Sequence, residues 1–277
     1  MFEGLPFRYF ETLRDAWSGF SRYIPVSEKV EFARALLAAG FRHLDVGLFA
    51  PEHRAGQHRY TAKLLAALPP PVGRSYLAFA NTEREALSAL GAKRLTALGH
   101  PYPRKWRGEV VGLKEAWEEA ARVLKLAQGR FEPVLYLALG FGKDLTLEER
   151  LVLVSRFREQ GPWRIVLADR CPLASPSRVY EVVDAMVAAF GADNLGVHLY
   201  TRPDPGEVRA RVDAALSAGV RWMSGALGGI GGCGEAGNLP SEVVVPYLVD
   251  RGYDPGPDLF RLPELKARAE RLKERYA

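Results

Sequence analysis

Short runs of β-forming residues recur along the chain, each followed by a stretch in which apolar residues return every three or four positions. The runs begin at Phe7 (FRYFETL), Arg42 (RHLDVGLF), Arg74 (RSYLAFA), Arg94 (RLTALGH), Glu132 (EPVLYLALG), Arg164 (RIVLADR), Asn194 (NLGVHLY) and Arg221 (RWMSGAL). The stretches between them have helical periodicity. SEKVEFARALLAAG, from Ser27, opens on a polar cap, carries an early acid and stops at a glycine. LTLEERLVLVSRFREQG offers Thr146 as N-cap, Glu149 as its capping-box partner and Gly161 as the stop. SPSRVYEVVDAMVAAFG and DPGEVRARVDAALSAG follow the same plan. Strand–helix units repeated without a long linker predict an α/β fold in one domain over residues 1–277. Its expected form is a closed (β/α)8 TIM barrel, with an open doubly wound sheet as the alternative. The tail LPELKARAERLKERYA sets Leu265, Ala269, Leu272 and Tyr276 on one stripe. This predicts an additional C-terminal helix that closes against the barrel or, alternatively, meets a second copy in a homodimer.

Composition narrows the function classes. The 277 residues carry 38 basic and 33 acidic side chains, a net charge of +5. The basic residues are scattered among acidic ones and form no stripe with interleaved aromatics, which argues against nucleic acid. A mild positive bias instead suits an anionic metabolite. Two cysteines, Cys171 and Cys233, are too few for a disulfide framework, so the expected location is intracellular and cytoplasmic. No apolar run approaches the length of a membrane span, and the N-terminal MFEGLPFRYFETLRDAW lacks the pattern of a signal peptide.

In this architecture chemistry belongs at the C-terminal ends of the strands and in the loops beyond them. Those ends supply Arg14 and Asp15 from the first run, Asp45 from the second and His100 from the fourth. The sixth gives Asp169, Arg170 and Cys171, and the seventh His198 and Tyr200. The loop GALGGIGGCGEAGN gives Cys233, Glu235 and Asn238. So many ionisable groups on one rim favour an enzyme. Asp45 lies in an apolar run, and a buried carboxylate must be paired, protonated or metal-bound. Strand alternation puts His198 and Tyr200 on one side, so His198 is either an arm of a metal site or a hydrogen-bonded interior residue. Gly229, Gly231 and Gly234 match GxGxxG spacing but follow the last strand. They read as a loop needing unusual backbone angles, a mobile lid, and not as a dinucleotide site.

With these residues in place, the chain resembles the metal-dependent lyase and Claisen-synthase superfamily of TIM barrels, which includes 3-hydroxy-3-methylglutaryl-CoA lyase. The resemblance runs from Tyr9 to about Leu248. In ETLRDAW it implies that Arg14 stabilises an enolate oxygen and that Asp15 ligates a divalent metal. In HLDVGLFAPEH it gives Asp45 the acidic place, and in LADRCPLASP it makes Asp169 an active-site carboxylate. GVHLY corresponds to a His-x-His pair of metal ligands, so His198 keeps one ligand and Tyr200 stands where the second belongs. In GGIGGCGEAGN, Cys233 takes the proton-transfer role and Asn238 completes the metal shell. The site departs from the family at Tyr200, a phenol with an ordinary pKa of about 10 and a poor magnesium ligand, and at Arg202, which adds positive charge. The resemblance implies a carbon–carbon lyase that cleaves a 3-hydroxyacyl-CoA, such as 3-hydroxy-3-methylglutaryl-CoA, to acetyl-CoA and a 3-oxo acid. Magnesium or manganese is its implied cofactor, with Asp45 or Asp169 as the base. The short GEAG spacing before Asn238 also suits an acetyl-CoA-dependent condensing synthase or aldolase. Loss of the metal at Tyr200 would leave a third reading, a non-catalytic ligand-binding barrel.

Overall fold

A computed structural model describes residues 4–51, 56–102, 105–106, 109–110, 113–138, 140–143, 145–161, 163–170 and 173–277. Glu52, His53 and Cys171 of the sequence motifs lie outside the described residues. Eight parallel strands form a closed barrel: β1 (Arg8–Thr12), β2 (His43–Phe49), β3 (Ser75–Ala80), β4 (Ala97–Tyr102), β5 (Glu132–Leu137), β6 (Arg164–Ala168), β7 (Leu195–His198) and β8 (Trp222–Gly225). Each pairs with its neighbour in sequence, and β8 returns to β1 with Met223 opposite Tyr9. The pairing of first and last strands excludes the open sheet.

Alternation along the strands builds two apolar layers. Phe10, Leu77, Phe79, Ala97, Val134, Tyr136, Val166, Ala168 and Trp222 form the packed interior of the barrel. Their neighbours Tyr9, Leu44, Tyr76, Leu98, Leu135 and Val197 belong to the larger core shared with the helices. The interior is crowded: a Cβ on Gly196 would lie 2.8 Å from the Trp222 ring. Each fully buried Leu or Phe contributes about 1.5–3 kcal/mol, so these two layers dominate stability.

The helices are α1 (Leu13–Ser18), α2 (Val26–Ala38), α3 (Thr61–Ala67), α4 (Glu83–Ala89), α5 (Leu113–Ala127), α6 (Leu147–Gln160), α7 (Pro176–Phe190), α8 (Pro205–Ser217), α9 (Ser241–Asp250) and α10 (Leu262–Tyr276). α6 opens with the expected capping box, Thr146 and Glu149 bonding each other's backbone N–H, and ends at Gly161. Ser175 and Asp204 cap α7 and α8, each followed by a proline. α2 departs from expectation. It starts at Val26, with Pro25 in the cap position and no side-chain cap bond, so Ser27 sits inside the first turn. α10 buries Leu265, Ala269 and Tyr276 of its stripe, with Leu272 partly buried against the same core.

Two features fix the segment between β8 and α9. Tyr200–Thr201 and Gly237–Asn238 pair as a short antiparallel ribbon across the rim, with Tyr200 opposite Asn238. At the root, Glu11 on the outer face of β1 accepts from the backbone N–H of Leu227 at 2.7 Å and from the Ser241 hydroxyl at 2.5 Å. Tyr9 donates to the same Ser241 oxygen at 2.9 Å. Burial pushes the Glu11 carboxyl up to about 8, against the hydrogen bonds from Ser241 and Leu227.

Candidate active site

The strand ends open into a cavity of about 680 Å³. Arg14, Asp15, His58, Asp169, Arg170, His198, Tyr200 and Cys233 all line it. Thus most of the rim residues singled out in the sequence meet in one place. Arg14 and Asp15 reach it from the first turn of α1, not from a strand, because Thr12 ends β1 and caps α1 by accepting from the Asp15 N–H.

Asp45 is fully buried and is not among the cavity-lining residues. Its Oδ2 accepts from Arg14 Nε at 2.9 Å and from the Thr12 hydroxyl at 3.0 Å. Burial raises its pKa to about 6 despite the Arg14 charge. Asp45 therefore sits behind Arg14 and aims the guanidinium, which lies 4.4 Å from the centre of the Phe79 ring. Asp169 reaches the cavity with its oxygens engaged. Oδ1 accepts from the N–H groups of Arg170 and Ala174, and Oδ2 from Arg211 of α8 at 3.1 Å. Burial still raises its pKa above the usual aspartate range. His100 belongs with Leu98 and Tyr102 on the helix-facing side of β4, where its Nδ1 lies 3.0 Å from the Ala80 carbonyl oxygen.

His198 and Tyr200 do share a side, their rings meeting edge to face at 5.0 Å. His198 Nδ1 bonds Ser224 Oγ at 2.7 Å, and Nε2 lies 4.0 Å from Asp15 Oδ2. Burial lowers its pKa to about 4, so the imidazole is neutral at pH 7. Burial, reinforced by Asp15, holds the Tyr200 phenol well above its usual pKa. Asp15 accepts from Asn238 Nδ2 at 2.8 Å and the Gly232 N–H at 3.2 Å on Oδ2, and from the Tyr200 hydroxyl at 3.5 Å on Oδ1. Gly231 permits this closeness: a Cβ there would fall 2.6 Å from the Asp15 carbonyl oxygen.

Asp15, His198, Asn238 and Tyr200 do not fit a divalent cation in this arrangement. Such an ion needs oxygen or nitrogen lone pairs converging on it, whereas Asn238 and Tyr200 turn hydrogens toward Asp15. The amide orientation of Asn238 is set by a second acceptor, the Ile230 carbonyl oxygen 2.7 Å from the same Nδ2. Its Oδ1 is buried, with no hydrogen-bond partner among the described residues. Nor, among the described residues, do three His, Cys, Asp or Glu side chains gather as a metal site.

Cys233 is disulfide-bonded, whereas the proton-transfer role implied by the sequence needs a free thiol. The chain holds one other cysteine, Cys171, outside the described residues. His58 was not foreseen. It arrives on the loop after β2, seated by its neighbour Gln57, whose side chain bonds the backbone of Phe20, Arg22 and Ile24. Its Nε2 lies 3.2 Å from Ser18 Oγ, and burial, with Arg14 and Lys29 nearby, lowers its pKa to about 3. Position after a strand end was its only signal in the sequence.

A closed (β/α)8 barrel with a charged cavity at the C-terminal rim is the architecture of barrel enzymes. The HMGL-like family model matches residues 111–268, and the chain belongs to that family. The hydroxymethylglutaryl-CoA lyase of Pseudomonas mevalonii is 24% identical over 267 residues, covering 92% of this chain and 88% of that protein. Among solved structures, the HMG-CoA lyase of Brucella melitensis superposes with a TM-score of 0.85 at 20% identity, covering 98% of this chain and 99% of that one. An HMG-CoA lyase of Acinetobacter baumannii, in complex with coenzyme A and 3-methylmalate, gives 0.82 at 21% identity, covering 96% and 92%. At these identities the structural likeness establishes the fold.

Proposed function

We propose that the protein is a carbon–carbon lyase that cleaves a 3-hydroxyacyl-CoA thioester, of the 3-hydroxy-3-methylglutaryl-CoA kind, to acetyl-CoA and a 3-oxo acid. The carrying observation is the Arg14 guanidinium, held by buried Asp45 against the Phe79 ring and presented to the cavity. The lyase names of the relatives, and the coenzyme A in one solved neighbour, support the substrate class.

In this reading the thioester carbonyl faces Arg14 and the 3-hydroxyl faces Asp15. Asp15 takes the hydroxyl proton as the bond between C2 and C3 breaks. The oxygen left behind becomes the ketone of the 3-oxo acid, and the bonding pair becomes the enolate of acetyl-CoA. Arg14 meets the charge that grows on the enolate oxygen. Cys233, as a free thiol, returns a proton to C2. Asp45 and Asp169, both tied to arginines, position the site.

Arg14→Gln tests the reading. With 3-hydroxy-3-methylglutaryl-CoA as substrate, acetyl-CoA release should fall about 10²–10³-fold, the scale of losing a group that stabilises an oxyanion. Thermal stability should change little, because Asp45 can take up a proton. Cleavage by the variant at the parent rate would refute the assignment, and a product pattern of condensation would point to a synthase.

A further inference from the structure

We infer that Tyr200 makes this a metal-free site: protein hydrogen-bond donors around Asp15 occupy the positions that a divalent cation would need. The Asp15 carboxylate is only 15% exposed, so its charge must be met locally. It is met by the Asn238 amide at 2.8 Å, the Gly232 N–H at 3.2 Å, the Tyr200 hydroxyl at 3.5 Å and the Arg14 guanidinium at 3.8 Å. Three of these are neutral donors and the fourth supplies a full positive charge. A cation placed against Asp15 would face N–H and O–H groups and stand close to that guanidinium, and like charges at such range repel.

The arrangement is mutually reinforcing. The ribbon pairing sets Tyr200 opposite Asn238, so both side chains reach Asp15 together. Rotating the Asn238 amide to offer its oxygen would set that oxygen 2.7 Å from the Ile230 carbonyl oxygen, acceptor against acceptor. Of the four residues, His198 alone brings a nitrogen lone pair, and with Asp15 it makes two ligands. Tyr200 is the position where a single exchange changes the count. Tyr200→His removes one donor from Asp15 and places a third ligand beside Asp15 and His198.

Manganese binding to the whole reduced protein, followed by electron paramagnetic resonance of the free ion, tests this without any substrate. Its failure is thus distinct from failure of the lyase reading. Wild-type protein should bind Mn²⁺ no more tightly than Asp15→Asn, and elemental analysis after gel filtration should find no stoichiometric divalent metal. Tyr200→His should bind Mn²⁺ at least about tenfold more tightly than wild type, the lower end of what one well-placed partner contributes at a metal site. One ion per wild-type chain, lost in Asp15→Asn, would overturn the inference. A folded Tyr200→His that gains no affinity would overturn the role given to Tyr200. Should that variant not fold, the wild-type comparison with Asp15→Asn decides alone.

Discussion

Cys233 lines the cavity yet is held in a disulfide, and a sulfur so engaged has no proton to give. If its thiol serves the enolate, lyase activity should rise at least about tenfold on reduction with dithiothreitol, and alkylation of the reduced protein should abolish the gain. A rate indifferent to both treatments would remove Cys233 from the reaction. Arg14, Asp15, His198, Tyr200 and Asn238 were legible as one cluster because strand order and the C-terminal rim fix where such residues meet. Finer placement was less legible. Alternation from Leu98 assigns His100 to the helix side, but a run of β-formers does not say which face its apolar residues seek. That Asp45 lies behind Arg14 depends on how α1 turns, which no spacing encodes. His58 depends on a loop seated by Gln57, through contacts with residues some 35 positions away.

Helix boundaries were readable where a side chain makes the cap and obscure where backbone does. The capping box of α6 supports a quantitative expectation. Thr146→Ala should lower stability by about 1 kcal/mol in urea unfolding, because the Glu149 N–H loses its acceptor. An unchanged midpoint would mean that solvent replaces the cap at no cost. The cap of α2 lies two residues before the Ser27 that the sequence suggests because Pro25, with φ of −54°, pre-sets the entry without any side-chain bond. α1 escaped notice for a related reason. It has six residues and follows β1 without a loop, so its few apolar positions blend into the strand's pattern.

For the whole molecule, repeated strand–helix units indicated the number of strands and favoured closure, which the pairing of β8 with β1 decides; the buried acid on the outer wall has no signal in the sequence. In an unfolded chain Glu11 titrates near 4.5, whereas burial in the fold takes it to about 8, beside Tyr9, Ser241 and Glu242. The folded protein thus holds a proton that the unfolded chain releases. The resulting stability is fully present below about 4.5 and is lost as pH rises through about 8. Melting temperature should therefore fall from about pH 5 to about pH 8.5 more steeply in the wild type than in Glu11→Gln, each tenfold in proton affinity being worth about 1.4 kcal/mol. Parallel profiles would show that Glu11 is not the titrating group.

The ribbon that joins Thr201 to Gly237 has an evolutionary corollary. Two rim segments that share backbone hydrogen bonds are inherited as a unit, since a change of length in one misregisters the other. A transplant of the glycine-rich stretch from a relative would have to carry its companion after β7, and specificity on this rim is thereby free to diversify mainly in the loops outside the ribbon, such as the one after β2 where His58 enters.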